Sequence, residues 1–309
     1  MAEIRTKQFQ LLSDISTVWK LMTENYVPEC RNGIAAPFFE YALTSSWFDA
    51  RYTYLNRLWL DGSRAVGFVF YESPVSCIFF HLLPGYEDLA DEMVAYADTQ
   101  MRGSETGKEP VLFPGQTALM EAAQKRGYRL EWVQKDWLLD LRKGQLKADL
   151  PEGFHFVDSS KADPVKLAAC TWKGFDHEDK GPFENWDGEE TGEEWTPQKS
   201  YRGVNSSFMA PPPHATFEHN VIIANEKEEY VCFSGMWWVP ENHLAYMEPL
   251  CTVPQYRRRG LALAALAEHD RRMRGLGAEY MTGGGDAFYL KAGYNAAMEW
   301  QHWKKPING

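Results

Sequence analysis

The stretch Glu248-Pro-Leu-Cys-Thr-Val-Pro-Gln-Tyr-Arg-Arg-Arg-Gly-Leu-Ala262 decides the fold. Residues 244–253 predict a β-strand that runs into a turn, and residues 259–274 predict a helix closed by glycine. Three arginines at the start of a helix oppose its dipole, which costs roughly 0.3–1 kcal/mol each. A bound anion offsets that cost, because the first N–H groups of a helix have no intrahelical partner. The pattern therefore predicts a phosphate site, with a helix start bearing solvent-exposed arginines as the alternative.

Outside this stretch, the chain contains an internal repeat. Lys125-x-Gly127-Tyr128 recurs as Lys291-x-Gly293-Tyr294, 166 residues later. Pro84-x-Tyr86 recurs as Pro254-x-Tyr256, 170 residues later. Matches in the same order indicate that one α/β unit occurs twice. We expect one domain at residues 1–145 and a second at 152–309, with a polar linker at about 143–152.

Two motifs of the second half resemble the signatures of one enzyme superfamily. Arg257-x-x-Gly260-x-Ala262 resembles the Gln/Arg-x-x-Gly-x-Gly/Ala turn of the Gcn5-related N-acetyltransferases (GNAT), and residues 288–294, Phe-Tyr-x-x-x-Gly-Tyr, resemble a helix of that family. The resemblance covers about residues 152–305, and the repeat extends it more weakly to 1–145. It implies an α/β (α+β) fold of two tandem GNAT-like domains, each a mixed, mostly antiparallel sheet flanked by helices.

The resemblance also implies a binding site for acetyl-CoA as co-substrate, without a metal. Pro249 suggests a bulge or an edge in the strand, which in this family splays from its neighbour to bind the pantetheine arm. The residues expected to bind acetyl-CoA are Thr252, Val253, Arg257, Arg258, Arg259, Gly260, Leu261 and Ala262. In the first half, Glu87-Asp88 replaces the arginines, so we expect a degenerate domain that does not bind CoA.

Acetyl transfer to an amine needs a base and benefits from a proton donor to the thiolate. Glu248 is the candidate base, with a structural or substrate-anchoring carboxylate as the alternative. Tyr289 matches the family's tyrosine acid, with an aromatic packing residue as the alternative. The run Gly283–Gly285 lacks the spacing of a P-loop, so we expect it to let the chain pass close to the cofactor.

Charge and cysteine content restrict the possible partners. The net charge of −11 argues against a nucleic-acid binder. Residues 176–194 contain nine acids and one lysine, and they predict either a solvated loop or a mobile lid that favours a cationic substrate. Five scattered cysteines without a C-x-x-C motif suggest free thiols in the cytoplasm. We find neither a secretion signal nor an apolar run of about 18 residues, so no membrane association is expected.

The sequence thus predicts an N-acetyltransferase that moves acetyl from acetyl-CoA to a primary amine, by direct attack, with a cationic small molecule as the preferred acceptor. Two alternatives stay open. One is a catalytically silent acyl-CoA sensor or regulatory module, and the other is an acyltransferase with a different donor or with a peptide or protein amine as acceptor. An enzyme needs at least one of Glu248 and Tyr289, whereas a sensor needs neither. The oligomeric state is not predicted.

Overall fold

The computed structural model describes residues 3–72, 76–189, 191–193, 195–209 and 211–306. The chain divides into two compact units. The first comprises the chain up to Leu43, Phe48–Asp136, and the chain from Ala297 onward. The second comprises Thr44–Trp47 and Trp137–Ala296. These units differ from the two halves expected from the repeat, because each contains a strand from the end of the other half.

The described residues of the first half form six strands and four α-helices. They are β1 (Ile4–Gln8), α1 (Leu11–Asn25), α2 (Ala36–Thr44), β2 (Arg57–Asp61), β3 (Arg64–Tyr71), β4 (Cys77–Leu82), α3 (Ala90–Gln100), β5 (Glu109–Leu112), α4 (Thr117–Lys125) and β6 (Arg129–Asp140). In the sheet of the first unit, β1 to β5 lie in sequence order. Neighbours are antiparallel as far as β4, whereas β4 and β5 are parallel.

The second half repeats this order of elements. They are β7 (Phe154–Val157), α5 (Pro164–Gly174), α6 (Pro197–Val204), β8 (Val221–Asn225), β9 (Tyr230–Val239), β10 (Leu244–Thr252), α7 (Leu261–Gly275), β11 (Tyr280–Thr282), α8 (Ala287–Ala292) and β12 (Ala296–Lys304). In the sheet of the second unit, β7 to β11 lie in sequence order. β10 and β11 are parallel and the other pairs are antiparallel.

The two sheets therefore have the same order and directions, as the duplication predicts, and the expected fold class is confirmed. The strand that follows the fifth strand in each sheet comes from the other half of the chain. β12 pairs antiparallel with β5 in the first unit, with His302 opposite Val111. The end of β6 pairs antiparallel with β11 in the second unit, with Asp140 opposite Tyr280.

The start of α5 is capped by an aspartate. The Asp163 carboxylate accepts hydrogen bonds from the N–H groups of Val165 at 2.8 Å and Lys166 at 3.0 Å, and it is the N-cap. Ser159 and Ser160 precede it in a separate turn. After residues 176–194, the structure also contains α6, which sequence reasoning missed.

Buried aromatic and aliphatic side chains fill the two units separately. In the first unit, Phe9, Phe39, Phe68 and Phe70 pack with ring centroids 5.0–5.7 Å apart. In the second, Met236, Ala245, Leu266 and Met281 join β9, β10, α7 and β11 in one apolar cluster. All five cysteines are free thiols, and only Cys77 is not fully buried. No helix in the described part of the chain is long and apolar enough to cross a membrane.

Candidate active site

Strand β10 contains the predicted irregularity at Pro249. Met247 pairs with Met236, but the next pair is Leu250 with Ser234, so two residues of β10 bulge opposite one residue of β9. The peptide bond between Glu248 and Pro249 is cis. The residue of β9 opposite the bulge is glycine, and a Cβ at Gly235 would overlap the carbonyl oxygen of Glu248. The bulge thus sets the position of the Glu248 backbone, and it depends on a glycine in the neighbouring strand.

Beyond this point β10 separates from its parallel neighbour β11. The two strands pair at Leu244 with Tyr280 and at Ala245 with Met281. The next N–H of β10 on this side, that of Met247, donates to the side-chain hydroxyl of Thr282 at 2.7 Å. After Ala245 and Met281, no further described residues of β10 and β11 pair with each other. A gap therefore opens beside the last part of β10, as the resemblance to GNAT enzymes implies.

Of the two residues of this strand that the sequence suggested for the gap, Thr252 and Val253, only Thr252 directs its N–H group toward it. The N–H of Val253 donates to Val231 of β9 at 3.0 Å, so it points away from the gap. Alternate residues of a strand direct their N–H groups to opposite sides, so the N–H of Thr252 faces the gap. Val253 is also buried, with 3% of its surface exposed. It supports the strand, whereas the N–H groups of this part of β10 that face the gap are those of Thr252 and Leu250.

The turn after β10 brings open backbone N–H groups to the start of α7. Gly260 has φ +84°, a left-handed conformation that favours glycine. The first intrahelical bond runs from the N–H of Ala264 to Gly260 O at 2.9 Å, so the N–H groups of the first turn lack intrahelical acceptors. A Cβ at Gly260 would meet nothing nearer than Pro151 Cγ, 3.9 Å away. This helix start is open to an anion.

The three arginines of the turn have different surroundings. The Arg257 guanidinium donates to Thr252 O at 3.0 Å and to Gly174 O at 2.9 Å, and it pairs with Asp176 at 2.9 Å. Arg259 lies over the ring of Phe154, with its guanidinium carbon 4.9 Å from the centroid. Arg258 makes no ion pair or hydrogen bond with any residue that the structure describes. Arg258 is thus the one best placed to meet a phosphate, and Arg257 instead connects the turn to α5.

Glu248 lies at the bulge and is half-buried. The phenol of Tyr246 donates a hydrogen bond to Glu248 Oε2 at 2.6 Å. This hydrogen bond fixes the orientation of the Glu248 carboxyl group. Tyr246 was missed by sequence reasoning, although a tyrosine two residues before Glu248 lies on the same face of a strand.

Tyr289, on α8, is buried with 8% of its surface exposed. Its ring packs edge-on against Tyr294 with centroids 5.1 Å apart, in the same cluster as Met247 of β10. Beneath the ring lies the glycine run: a Cβ at Gly283 would come within 2.6 Å of Tyr289 Cδ1. The glycines therefore make room for this tyrosine, a role that the sequence analysis did not assign to them.

The cysteine of the motif is a packing residue. The Cys251 thiol is 3.8 Å from Cys170 O on α5, and Cys251 is 4% exposed. A Cβ at Gly174 would come within 2.7 Å of Cys251 Sγ, so α5 ends directly against β10. Interaction with Cys251, followed by burial, raises the pKa of the Cys170 thiol. These contacts support the interpretation of Cys251 as a small buried residue.

The acidic segment, residues 176–194, packs in part against other residues of the second unit. Glu190 and Glu194 lie outside the described residues. The segment begins with Asp176, at φ +61°, whose carboxylate pairs with Arg257. The indole of Trp172 donates to Gly181 O at 3.0 Å, and the ring of His177 lies 4.5 Å from that of Trp195. Burial is the main cause that lowers the pKa of His177. The ion pair between Asp176 and Arg257 connects the described part of the segment to the anion turn.

The corresponding turn of the first half has the opposite charge. Glu87 accepts a hydrogen bond from the N–H of Gly85 at 3.0 Å, and this bond lowers the pKa of its carboxyl. α3 has two further acids in its first turn, Asp91 and Glu92. Ala123 stands 166 residues before Tyr289, in the place of the candidate acid. The first half thus lacks both the arginines and the tyrosine.

Solved structures that are similar to this chain include GNAT acetyltransferases. A GNAT family acetyltransferase from Colwellia psychrerythraea is similar with a TM-score of 0.60 at 9% identity, covering 97% of this chain and all of that one. A GCN5-related N-acetyltransferase from Sphaerobacter thermophilus has a TM-score of 0.54 at 12% identity, covering 99% and 98% of the two chains. A tandem GNAT protein from the clavulanic acid biosynthesis pathway has a TM-score of 0.54 at 11% identity, covering 97% and 98%.

No protein-family model matches the chain, and no curated protein matches it in sequence. At identities this low, the likeness shows the fold. The tandem GNAT architecture expected from the two motifs and the repeat is thereby confirmed over nearly the whole chain.

Proposed function

We propose that this protein is an acetyl-CoA-dependent N-acetyltransferase whose second unit binds the donor and transfers its acetyl group to a primary amine. The observation that carries the proposal is the open start of α7 directly after a strand that has left its neighbour. Such a site offers backbone N–H groups to a pyrophosphate and a free strand edge to an extended amide-containing arm. The tandem GNAT fold supports the same assignment.

The donor site is assigned to backbone groups and one arginine. Gly260, Leu261 and Ala262 would bind the pyrophosphate through the first turn of α7, assisted by Arg258. Thr252 would bind the pantetheine arm through its N–H. Arg257 and Arg259 would support the turn through their contacts with the protein, and Val253 through its bond to β9.

The acetyl transfer would proceed by direct attack. The amine nitrogen forms a bond to the thioester carbonyl carbon as the carbon–sulfur bond breaks, and the attacking nitrogen loses a proton. Glu248 would accept that proton, and the hydrogen bond from Tyr246 keeps its carboxylate oriented for this role. Tyr289 would donate a proton to the departing thiolate, which yields the free thiol of CoA.

The preferred acceptor is a cationic small molecule. The acidic segment supports this choice, since it begins at Asp176 beside the anion turn and has a net charge of −8 in the sequence. Five free thiols suit a reducing compartment, and we propose the cytoplasm. A sensor that binds acyl-CoA without turnover, and an enzyme acting on a peptide or protein amine, are the outcomes that the test must separate.

The test is thiol release from acetyl-CoA in the presence of polyamines, aminoglycosides, amino acids and peptides with free amines. We expect release with at least one cationic small amine, and a strong decrease in Glu248→Gln. Tight CoA binding without release for any amine would contradict the enzymatic proposal and favour the sensor. Release with peptides alone would overturn the choice of acceptor and leave the donor site intact.

A further inference from the structure

The first unit contains a cavity of about 280 Å³ at the end of β4. One wall consists of Leu82, Leu83 and Pro84, where the strand enters its turn. The opposite wall is the start of α4, with Gln116 and Leu119 among its residues. Neither the acetyl-transfer proposal nor the likeness to known structures assigns a role to this cavity.

The position of the cavity follows from the duplication. Leu82, Leu83 and Pro84 stand 170 residues before Thr252, Val253 and Pro254. Gln116–Leu119 stand 166 residues before Thr282–Gly285, the end of β11 and the turn that leads to the helix carrying Tyr289. The cavity therefore lies at the place in the first unit that corresponds to the donor site proposed for the second.

The charge at this place is reversed between the two copies. Glu87 lines the cavity, and it stands 170 residues before Arg257. Asp91, in the first turn of α3, pairs with Arg126 at 3.0 Å, whereas Glu87 has no ion pair with a described residue. Its bond from the N–H of Gly85 keeps the carboxyl ionised near neutral pH. A phosphate is repelled here, and a cation is attracted.

The walls of the cavity are preorganised, with an apolar part formed by leucines and a polar part that includes Gln116 and Glu87. Gln116 is buried, and its amide donates to Asn32 O at 2.9 Å and to Phe80 O at 2.7 Å while accepting from the N–H of Phe113 at 3.0 Å. These bonds hold the start of α4 against β4. The walls formed by Leu82, Leu83 and Leu119 suit a short hydrocarbon chain, and ligand cavities with such walls use few polar groups to fix orientation.

We propose that this cavity is a second ligand site, which binds a small primary ammonium ion with a short apolar body, the ammonium group facing Glu87. The duplicated unit has thus kept the cavity of a donor site but changed the sign of the charge at its mouth. The inference goes beyond acetyl transfer and stands on the first unit alone, so the failure of either proposal leaves the other intact.

The experiment uses the full chain with three probes of equal shape: n-butylammonium, n-butanol and butyrate. Binding is followed through the carbon-13 methyl resonances of Leu83 and Leu119, which report on this cavity and not on the second unit. We expect saturable shifts with n-butylammonium, at least fivefold weaker binding of n-butanol, and no binding of butyrate.

Variants assign the effect to the cavity. Glu87→Gln should weaken n-butylammonium binding about five- to tenfold, to the level of n-butanol, because an exposed charge contact contributes on the order of 1 kcal/mol. Glu105→Gln, which removes an equal charge outside the cavity, should leave binding unchanged. Thr117→Trp should fill the cavity and abolish the shifts, while circular dichroism confirms that the variant is folded.

Three results would overturn the proposal. Equal affinity for all three probes would mean that Glu87 does not favour the ammonium ion over the alcohol or the carboxylate. Unchanged n-butylammonium binding in Glu87→Gln or in a folded Thr117→Trp would place the ligand elsewhere. Shifts of the Leu83 and Leu119 methyl groups on addition of acetyl-CoA would mean that the first copy still accepts the donor.

Discussion

At the scale of single residues, Gly260 has two properties that a side chain would remove together. Its φ of +84° disfavours any other residue. The space where a Cβ would lie is empty, so a phosphate can approach the N–H groups of α7. Most side chains of the turn, by contrast, already have partners within the protein. The affinity for an anion should therefore depend more on this glycine than on Arg257 or Arg259.

Gly260→Glu is expected to abolish CoA binding, because it places a carboxylate where the pyrophosphate would lie. Isothermal titration calorimetry with CoA measures the loss. Gly260→Gln adds the same strain and bulk without charge, and should retain more affinity than Gly260→Glu. Gly277→Glu places a glutamate at another glycine with positive φ, +90°, at the far end of α7, and should bind CoA normally. Unchanged CoA affinity in a folded Gly260→Glu would refute the phosphate site.

Tyr289 and Tyr294 form a matched pair for separating chemistry from packing. Tyr289→Phe should lower the turnover rate at least tenfold with little change in CoA affinity, because the ring and its contacts remain while the proton donor is lost. Tyr294→Phe removes a hydroxyl that donates to Thr282 O at 3.3 Å, and should affect stability more than turnover. Steady-state kinetics of thiol release measures both variants. Equal turnover in Tyr289→Phe and the unmodified protein would exclude Tyr289 as the acid.

Single residues also show where sequence reasoning reached its limit. The irregularity at Pro249 could be predicted because proline has no N–H to donate to a strand, and the positive φ of Gly260 is one that glycine adopts without a steric penalty. The side-chain partners could not. Asp176, which holds Arg257, lies 81 residues before it, and Val253 turns its N–H toward β9 because of the register of the sheet.

At the scale of elements, the bulge of β10 depends on its neighbour. Gly235 of β9 faces the bulge, and Ser234 beside it pairs with Leu250, the first residue of β10 after the irregularity. The pairing of β9 with β10 thus positions Glu248, and a substitution in β9 should displace the candidate base.

Gly235→Ala is expected to destabilise the protein by about 1–3 kcal/mol, because the added methyl group overlaps the carbonyl oxygen of Glu248. It should also reduce kcat/KM for thiol release by displacing the base. Urea denaturation and kinetics measure the two effects. Gly275→Ala, at the end of α7, has no heavy atom within 4 Å of the added Cβ and serves as the control. A Gly235→Ala variant with unchanged stability and kcat/KM would contradict the coupling of the bulge to Glu248.

Elements with strong local signals agreed with prediction, and weak ones did not. β10 and α7 have clear ends in the sequence, and both lie within two residues of the predicted bounds, 244–253 and 259–274. α6 follows the acidic segment, and the high polarity of the surrounding chain concealed a helix that begins at the N-cap Thr196 and Pro197. The exchange of β6 and β12 has no local signal, because strand order is set by pairing between distant residues.

At the scale of the whole molecule, the two copies keep one architecture with different chemistry. The second unit has an arginine turn, a tyrosine on α8 and a glutamate at a bulge. The first has Glu87, Ala123 and no comparable bulge between β3 and β4, whose described residues pair without a register shift from Gly67 to Tyr71. The duplication was visible in the sequence, and so was the loss of arginines.

The whole chain should therefore bind one molecule of CoA. Isothermal titration calorimetry is expected to give a stoichiometry of one, falling to zero in Gly260→Glu, because carboxylates occupy the anion turn of the first unit and repel a pyrophosphate. Glu105→Gln serves as the control, since it removes a carboxylate of the first unit outside this turn and should leave both the stoichiometry and the CoA affinity unchanged. Two molecules bound per chain, or one molecule that stays bound in folded Gly260→Glu, would show that the first unit binds CoA despite the carboxylates in its turn.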